Sequence, residues 1–343
     1  MKHDFKVTLF LIAIFVVAQL VGLLLLSSAL KEQVDEQGNR VVVFDESKVG
    51  EIPQMSGLGF LVYITLGVGI GTGLVLLLAR FKRVNLWRIW FFLAVFIAID
   101  FALKTVMPWA FAFFIAFILA TWKIARPNVV VHNLSEILMY SGISVFLVPL
   151  LNSMQNSDVL GIPGNIFWAS LILVLISVYD FIAVFQSKHM VSMANFQTKS
   201  KVFAGLLIPY KAKAIEGAKE LKASLKKAAA AASKSLKSPV QRMKQKLPRR
   251  FPDVKQPVDG ERRTAILGGG DIAFPMLFIG TVMYHLANKM PIQLALLESF
   301  IIVGTATAAL ATLFIVAKKD KFYPAMPILS AGCFVGYLIV LLI

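Results

Sequence analysis

The chain has 343 residues, 58% of them hydrophobic, and only 16% are charged, against about 25% in an ordinary soluble domain. A mean hydropathy of +0.75 excludes a soluble globular enzyme and predicts an integral, multi-pass membrane protein. The formal net charge of +16 is concentrated in one place: residues 186–263 carry 19 Lys/Arg against 5 Asp/Glu, a net of +14, and the rest is close to neutral.

Residues 7–30 are apolar, with Gln19 the one strongly polar side chain, and they lack the small-x-small site of a signal peptide. They read as a first transmembrane helix. Residues 31–56 are polar and acidic, and Arg40-Val41-Val42-Val43-Phe44 inside them predicts a short strand. A second span covers 57–79, where Gly67, Gly69, Gly71 and Gly73 predict a face for close helix packing. Further spans are expected at about 86–106, 109–122, 134–151 and 165–185, then, after the basic stretch, at 264–287, 292–317 and 323–343. The reading is an all-α membrane protein of nine transmembrane helices, organised as helices 1–6 (1–185), a basic loop (186–263) and helices 7–9 (264–343). The lone cysteine, Cys333, excludes an internal disulfide.

Charge tests the count. Lys/Arg cluster at the N-terminus, at 80–88, 123–126, 186–263 and 318–321, while the alternate connections are acidic or nearly uncharged apart from Lys104 and Lys289. That alternation follows the positive-inside rule. It places the N-terminus and the 186–263 loop in the cytoplasm and the C-terminus outside. Within the loop, the Lys/Ala-rich 211–238 favours helix and suits anionic lipid headgroups. Residues 239–260, with four prolines, read as linker. No aromatic interleaving or known module accompanies the basic residues, so nucleic-acid binding is not expected.

Two aspartates stand inside apolar runs: Asp180 in Ser177-Val178-Tyr179-Asp180-Phe181, and Asp271 in Gly268-Gly269-Gly270-Asp271-Ile272-Ala273-Phe274-Pro275. A carboxylate at such depth costs roughly 2.5–3.5 kcal/mol on insertion scales and marks a functional site. Asp180 lies eight residues before Lys188 and Asp271 eight after Arg263. At about 1.5 Å per helical residue, both are expected at matching depth, ~12 Å from the cytoplasmic flank. The three glycines bare one turn of backbone, and Pro275 lacks the N–H that the Asp271 carbonyl would accept. Freed backbone at membrane depth belongs in protein or beside a wet cavity.

A carboxylate pair of this kind suits peptide hydrolysis. Like charges in contact share one proton, so one member takes a proton from water while the other polarises the scissile carbonyl. No metal or other cofactor is needed. The residues alone leave open a proton- or ion-coupled transporter using the same two aspartates as a relay, and a proteolytically silent membrane binding protein. Asp100 has a different expectation, since Lys104 four residues on can pair with it along one helix face. Glu298 and His285 read as interface or packing residues near the outer side.

Tyr179-Asp180 and Gly268-Gly269-Gly270-Asp271 resemble the YD and GxGD motifs of the presenilin and signal peptide peptidase family. Pro324-Ala325-Met326-Pro327 is similar to that family's PAL motif, and the order of motifs and spans also matches. The Gly270–Pro275 phrase is nearer the signal peptide peptidases; the N-inside orientation is nearer presenilin and its archaeal homologues. The resemblance implies an intramembrane aspartyl protease of GxGD type that cuts the transmembrane helices of protein substrates; the reading adopted is one active as a single polypeptide. The resemblance also implies catalysis by Asp180 and Asp271, with Tyr179, Gly268, Gly269 and Gly270 shaping the site. Pro324, Ala325 and Met326 are implied to lie beside the pair and order the substrate. Met326 departs from the family's leucine and Gly269 from its usual larger residue.

Overall fold

Long apolar runs free of helix breakers become helices because each backbone polar group must find its partner within the segment. The computed structural model describes residues 5–81, 83–126, 128–153, 158–185, 203–211, 262–317 and 323–343. In chain order these form α1 (Phe5–Ser28), β1 (Leu30–Val34), β2 (Arg40–Phe44), α2 (Glu46–Val49), α3 (Gly57–Arg80), α4 (Val84–Lys104), α5 (Trp109–Ala125), α6 (Val129–Asn152), α7 (Gly164–Phe185), β3 (Gly205–Lys211), β4 (Arg262–Gly268), α8 (Gly270–Ala287), α9 (Ile292–Val316) and α10 (Met326–Leu342). Two units result: one of Met1–Ile208 with Ile266–Ile343, which holds every helix among the described residues, and one of Pro209–Ala265. The stretches expected as basic helix (211–238) and linker (239–260) lie outside the described residues, apart from Lys211 at the end of β3.

Among the described residues, seven helices are long and apolar enough to cross a membrane: α1, α3, α4, α6, α7, α8 and α9. The two remaining expected spans, α5 and α10, have 17 residues each. At 1.5 Å per residue that is ~26 Å, short of a ~30 Å hydrocarbon layer. Pro108 precedes α5, and residues 323–325 stay non-helical before α10.

Helix α8 is the hub. It packs on α1, α6, α7, α9 and α10, and Pro275 through Met283 are buried without interruption. A helix apolar on every side belongs at the centre of a bundle. Around it, α4 packs on α5 and α6, and α9 on α10. Helix α3 is peripheral, touching chiefly α7 and α4.

The structure corrects three expectations. The chain is mostly helical but not all-α, since two two-stranded sheets, β1–β2 and β3–β4, stand among the described helices. The strand expected at Arg40–Phe44 is β2, paired antiparallel with β1 from Leu30↔Phe44 to Val34↔Arg40. The seventh span does not begin as helix at 264. Residues Arg262–Gly268 are β4, and helix starts only at Gly270, after the glycines. The rise there is that of a strand, about 3.3 Å per residue instead of 1.5, so equal sequence spacing from the flanking charges is not equal distance.

The third correction concerns glycine. A Cβ added at Gly67, Gly69, Gly71 or Gly73 meets nothing within 4 Å among the described residues, so that face of α3 is not a close-packed one. The close crossings lie elsewhere. A Cβ on Gly142 of α6 would fall 1.7 Å from the Ala98 carbonyl oxygen of α4. Gly332 and Gly336 of α10, four residues apart, press on Thr305, Ala306 and Ile302 of α9. These are the small-residue contacts that let membrane helices approach.

Candidate active site

Asp180 is placed by helix periodicity. Ile172, Ile176 and Asp180 fall on one stripe of α7 that is buried against its neighbours, and Asp180 itself is 8% exposed. One carboxylate oxygen, Oδ2, accepts the Met326 N–H at 3.2 Å. Three residues earlier, the Ser177 and Ser330 hydroxyls meet at 2.9 Å and tie α7 to α10. The Pro324-Ala325-Met326 stretch is thus brought onto Asp180 by its backbone.

Asp271 is placed by a junction. Strand β4 ends at Gly268, Gly269 caps α8, and Asp271 is in the first helical turn, half-buried. Gly269 has φ −64° and ψ −34°, ordinary helical values, so its lack of a side chain serves close approach and not an unusual backbone. A Cβ there would lie 2.2 Å from the Tyr140 hydroxyl oxygen and 2.7 Å from its Cζ. A Cβ on Gly268 would come within 3.2 Å of Asp271 Oδ2, whereas one on Gly270 makes only ordinary contact with Phe274 at 3.7 Å. Helix α7, which carries Asp180, packs on α8, which carries Asp271 in its first turn.

Pro275 sits buried inside α8, four residues after Asp271. It leaves the Asp271 carbonyl without its helical partner. The next carbonyl, Ile272, accepts the Gln19 side-chain amide of α1 at 3.0 Å. The polar residue that stands out in the first span therefore reaches the first turn of the helix carrying Asp271.

A buried polar group on α6 adjoins the junction, and sequence reasoning missed it. Glu136 is fully buried; its Oε1 pairs with Lys123 of α5, and its Oε2 accepts the Tyr140 hydroxyl and, at 2.7 Å, the Gly205 N–H of β3. Asn133 takes both polar groups of Leu207, accepting its N–H at 2.9 Å and donating to its carbonyl at 2.9 Å. His132 Nε2 lies 2.9 Å from the Gly205 carbonyl oxygen. Gly205 and Leu207 show their polar groups on the same edge of the strand, so α6 side chains occupy the edge of β3 that faces away from β4. Lys123 is accordingly no interfacial flank, as its position near the end of the fourth span suggested; it is 6% exposed, with the Phe91 ring 4.9 Å from its ammonium. The signal was available, since Glu136 is an acidic residue inside an apolar span, the same rule that singled out the aspartates.

Of the other expected residues, Tyr179 directs its hydroxyl to Thr72 of α3 at 3.2 Å. Asp100 pairs with Lys104 at 2.5 Å, as its spacing predicts. Asp180 and Met326 come together on one side; Asp271, Gly268 and Gly269 on the other.

Comparison with known proteins gives a family and a fold. Residues 12–343 match the family model described as signal-peptide peptidase, presenilin aspartyl protease. Among solved structures, that of a presenilin family intramembrane aspartate protease aligns with a TM-score of 0.54 over 98% of each chain, at 14% sequence identity. At that identity the likeness shows the fold. No match is found among curated proteins.

Proposed function

The chain belongs to the signal-peptide peptidase and presenilin aspartyl protease family, and on that premise we propose that Asp180 and Asp271 are its catalytic dyad. The family is one of aspartic intramembrane proteases, and the transporter reading of the two aspartates finds no support in it. The observation that carries the proposal is that α7, with Asp180 on its buried stripe, packs on α8, which opens with Asp271, so that two carboxylates are held on neighbouring helices of the bundle. In this reading the ionised member draws a proton from the attacking water while its protonated partner donates to the scissile carbonyl oxygen. The proton belongs to the pair.

The substrate is a transmembrane segment of another protein. Its helix must be opened locally before hydrolysis, because its backbone is already hydrogen-bonded. Strand β4, ending three residues before Asp271, supports pairing of the unwound segment as an added strand. The far edge of β3 is taken by α6 side chains, which leaves β4 to receive it. Nine spans, including the two 17-residue helices α5 and α10, with the N-terminus and the 186–263 loop cytoplasmic, fit the alternation of charge. The basic loop lies against anionic headgroups, and the chain acts without an obligatory subunit.

The test is cleavage of a single-span substrate by the full chain in detergent or liposomes, with a transition-state mimic of aspartyl proteases as inhibitor. Activity is expected to be blocked by the mimic and lost in Asp180→Ala and in Asp271→Ala. Cleavage surviving either substitution sinks the dyad.

A further inference from the structure

We propose that Glu136 is a positioning residue for Asp271, acting through Tyr140, Gly205 and the glycine turn. The proposal rests on the dyad reading above for its catalytic consequence, though not for its structural one. Among the described hydrogen bonds and ion pairs, Glu136 makes none with either aspartate. It gathers three partners from three elements onto one buried carboxylate: the Lys123 ammonium of α5, the Tyr140 hydroxyl one turn along α6, and the Gly205 N–H that begins β3.

Each partner fixes something near Asp271. The Tyr140 ring fills the space beside Gly269 that any side chain would need, two residues before the aspartate. Gly269 in turn offers its carbonyl to the Ile272 and Ala273 N–H groups at 3.1 and 3.0 Å, so a shift there moves the whole first turn of α8. Gly205 has φ +140°, where side chains strain, and a Cβ on it would fall 2.3 Å from the Leu267 carbonyl oxygen of β4. Its N–H on Glu136 therefore holds the strand pair that leads into the turn. A buried carboxylate is retained only when paired and fully hydrogen-bonded, and both oxygens here are used. The charge has a specific consequence: an amide in its place has one acceptor oxygen where the carboxylate has two. Glu136→Gln must either turn an N–H toward Lys123 or turn one toward the Gly205 N–H and lose that bond, with Tyr140 left only to accept.

The experiment compares Glu136→Gln and the pair Lys123→Met/Glu136→Gln with the unchanged protein, each as full chain in detergent, counted by titration with the aspartyl-protease mimic. Misplacement of a reacting group by about 1 Å costs on the order of 10²-fold in rate. We expect Glu136→Gln to lower kcat per titrated site about 10- to 100-fold with KM nearly unchanged, and the double variant, in which the amide faces an apolar Met, to recover most of it. Hydrogen exchange of peptides covering 203–208 and 266–272 should quicken roughly five- to tenfold in Glu136→Gln, as for one lost net hydrogen bond. Should Glu136→Gln fail to fold, Tyr140→Phe removes only the hydroxyl, keeps the ring on Gly269 and the ion pair, and should still lower kcat severalfold. Wild-type kcat per site in the folded single variants, or unchanged exchange in both peptides, overturns the proposal. If Asp180→Ala and Asp271→Ala retain cleavage, the dyad reading fails instead, and the exchange measurement still decides whether Glu136 holds β3 and the turn.

Discussion

Asp180 and Asp271 are the same residue in the same bundle, yet they are held by different means. Asp180 stands within a helix, its direction set by the period of α7 and its backbone already hydrogen-bonded, with the Met326 amide as its outside support. Asp271 stands where a strand becomes a helix. Its placement depends on a bared turn, on Tyr140 packed against Gly269 and on Gln19 bonded to the Ile272 carbonyl, that is, on side chains from α6 and α1. A helix supplies its own geometry; a junction borrows it. The Asp271 side should therefore be the more easily disturbed of the two by changes outside the carboxylates themselves.

The largest effect is common to both sides. Asp180→Asn and Asp271→Asn should each lower cleavage by at least about 10²–10⁴-fold, the scale of a lost general acid or base, measured by product formation per folded protein. A lesser loss in either variant would break the symmetry of roles and leave one carboxylate as the only essential one.

Next comes the glycine turn. Gly269→Ala places a Cβ 2.2 Å from the Tyr140 oxygen, so either the ring leaves or the turn shifts. A fall in kcat on the order of 10²-fold is expected, again the cost of about 1 Å at a reacting group. Gly270→Ala, facing Phe274 at ordinary contact distance, should change kcat less than about twofold, as for substitutions that disturb no packed or bonded feature. Equal losses in the two variants would mean that the turn needs flexibility and not close approach.

The two ion pairs sharpen the contrast between buried and open support. Lys123→Met strands a fully buried Glu136 and should lower stability by about 3–5 kcal/mol. Lys104→Met opens a pair whose lysine is 35% exposed, so water can reach the place it leaves beside the buried Asp100, and it should lower stability by less, about 1–3 kcal/mol. Thermal unfolding in one detergent measures both.

Much of this was legible from residues. The positions of the long helices follow from apolar runs bounded by Pro, Asn and charge, and the two aspartates announce themselves by their cost in such runs. The i,i+4 spacing of Asp100 and Lys104 is a pairing any helix would make. What could not be read is tertiary in origin. Strand β4 lies in a stretch that continues straight into a span, and its extended form depends on β3, more than fifty residues earlier. The four glycines of α3 carry the pattern of a packing face but sit at the edge of the bundle. Gly332 and Gly336, with the same i,i+4 spacing, meet α9. Spacing says that a close approach is permitted, and only the neighbour decides whether it occurs. The Lys123–Glu136 pair was hidden for a related reason: Lys123 at the end of a span looks like a flank until its partner 13 residues on is seen beside it.

The smallest expected effect probes the Asp180 side. The Ser177–Ser330 hydrogen bond ties α7 to α10 one turn before the aspartate. Interhelical hydrogen bonds in membrane proteins average about 0.6 kcal/mol, so Ser177→Ala, Ser330→Ala and the double variant should show a coupling near that value. If α7 alone directs Asp180, kcat should stay within about twofold in all three, since so weak a tie is not what aims the carboxylate. A loss of tenfold or more would show that α10 steers Asp180 as Tyr140 steers Asp271. The aspartate of α7 would then depend on borrowed geometry as well.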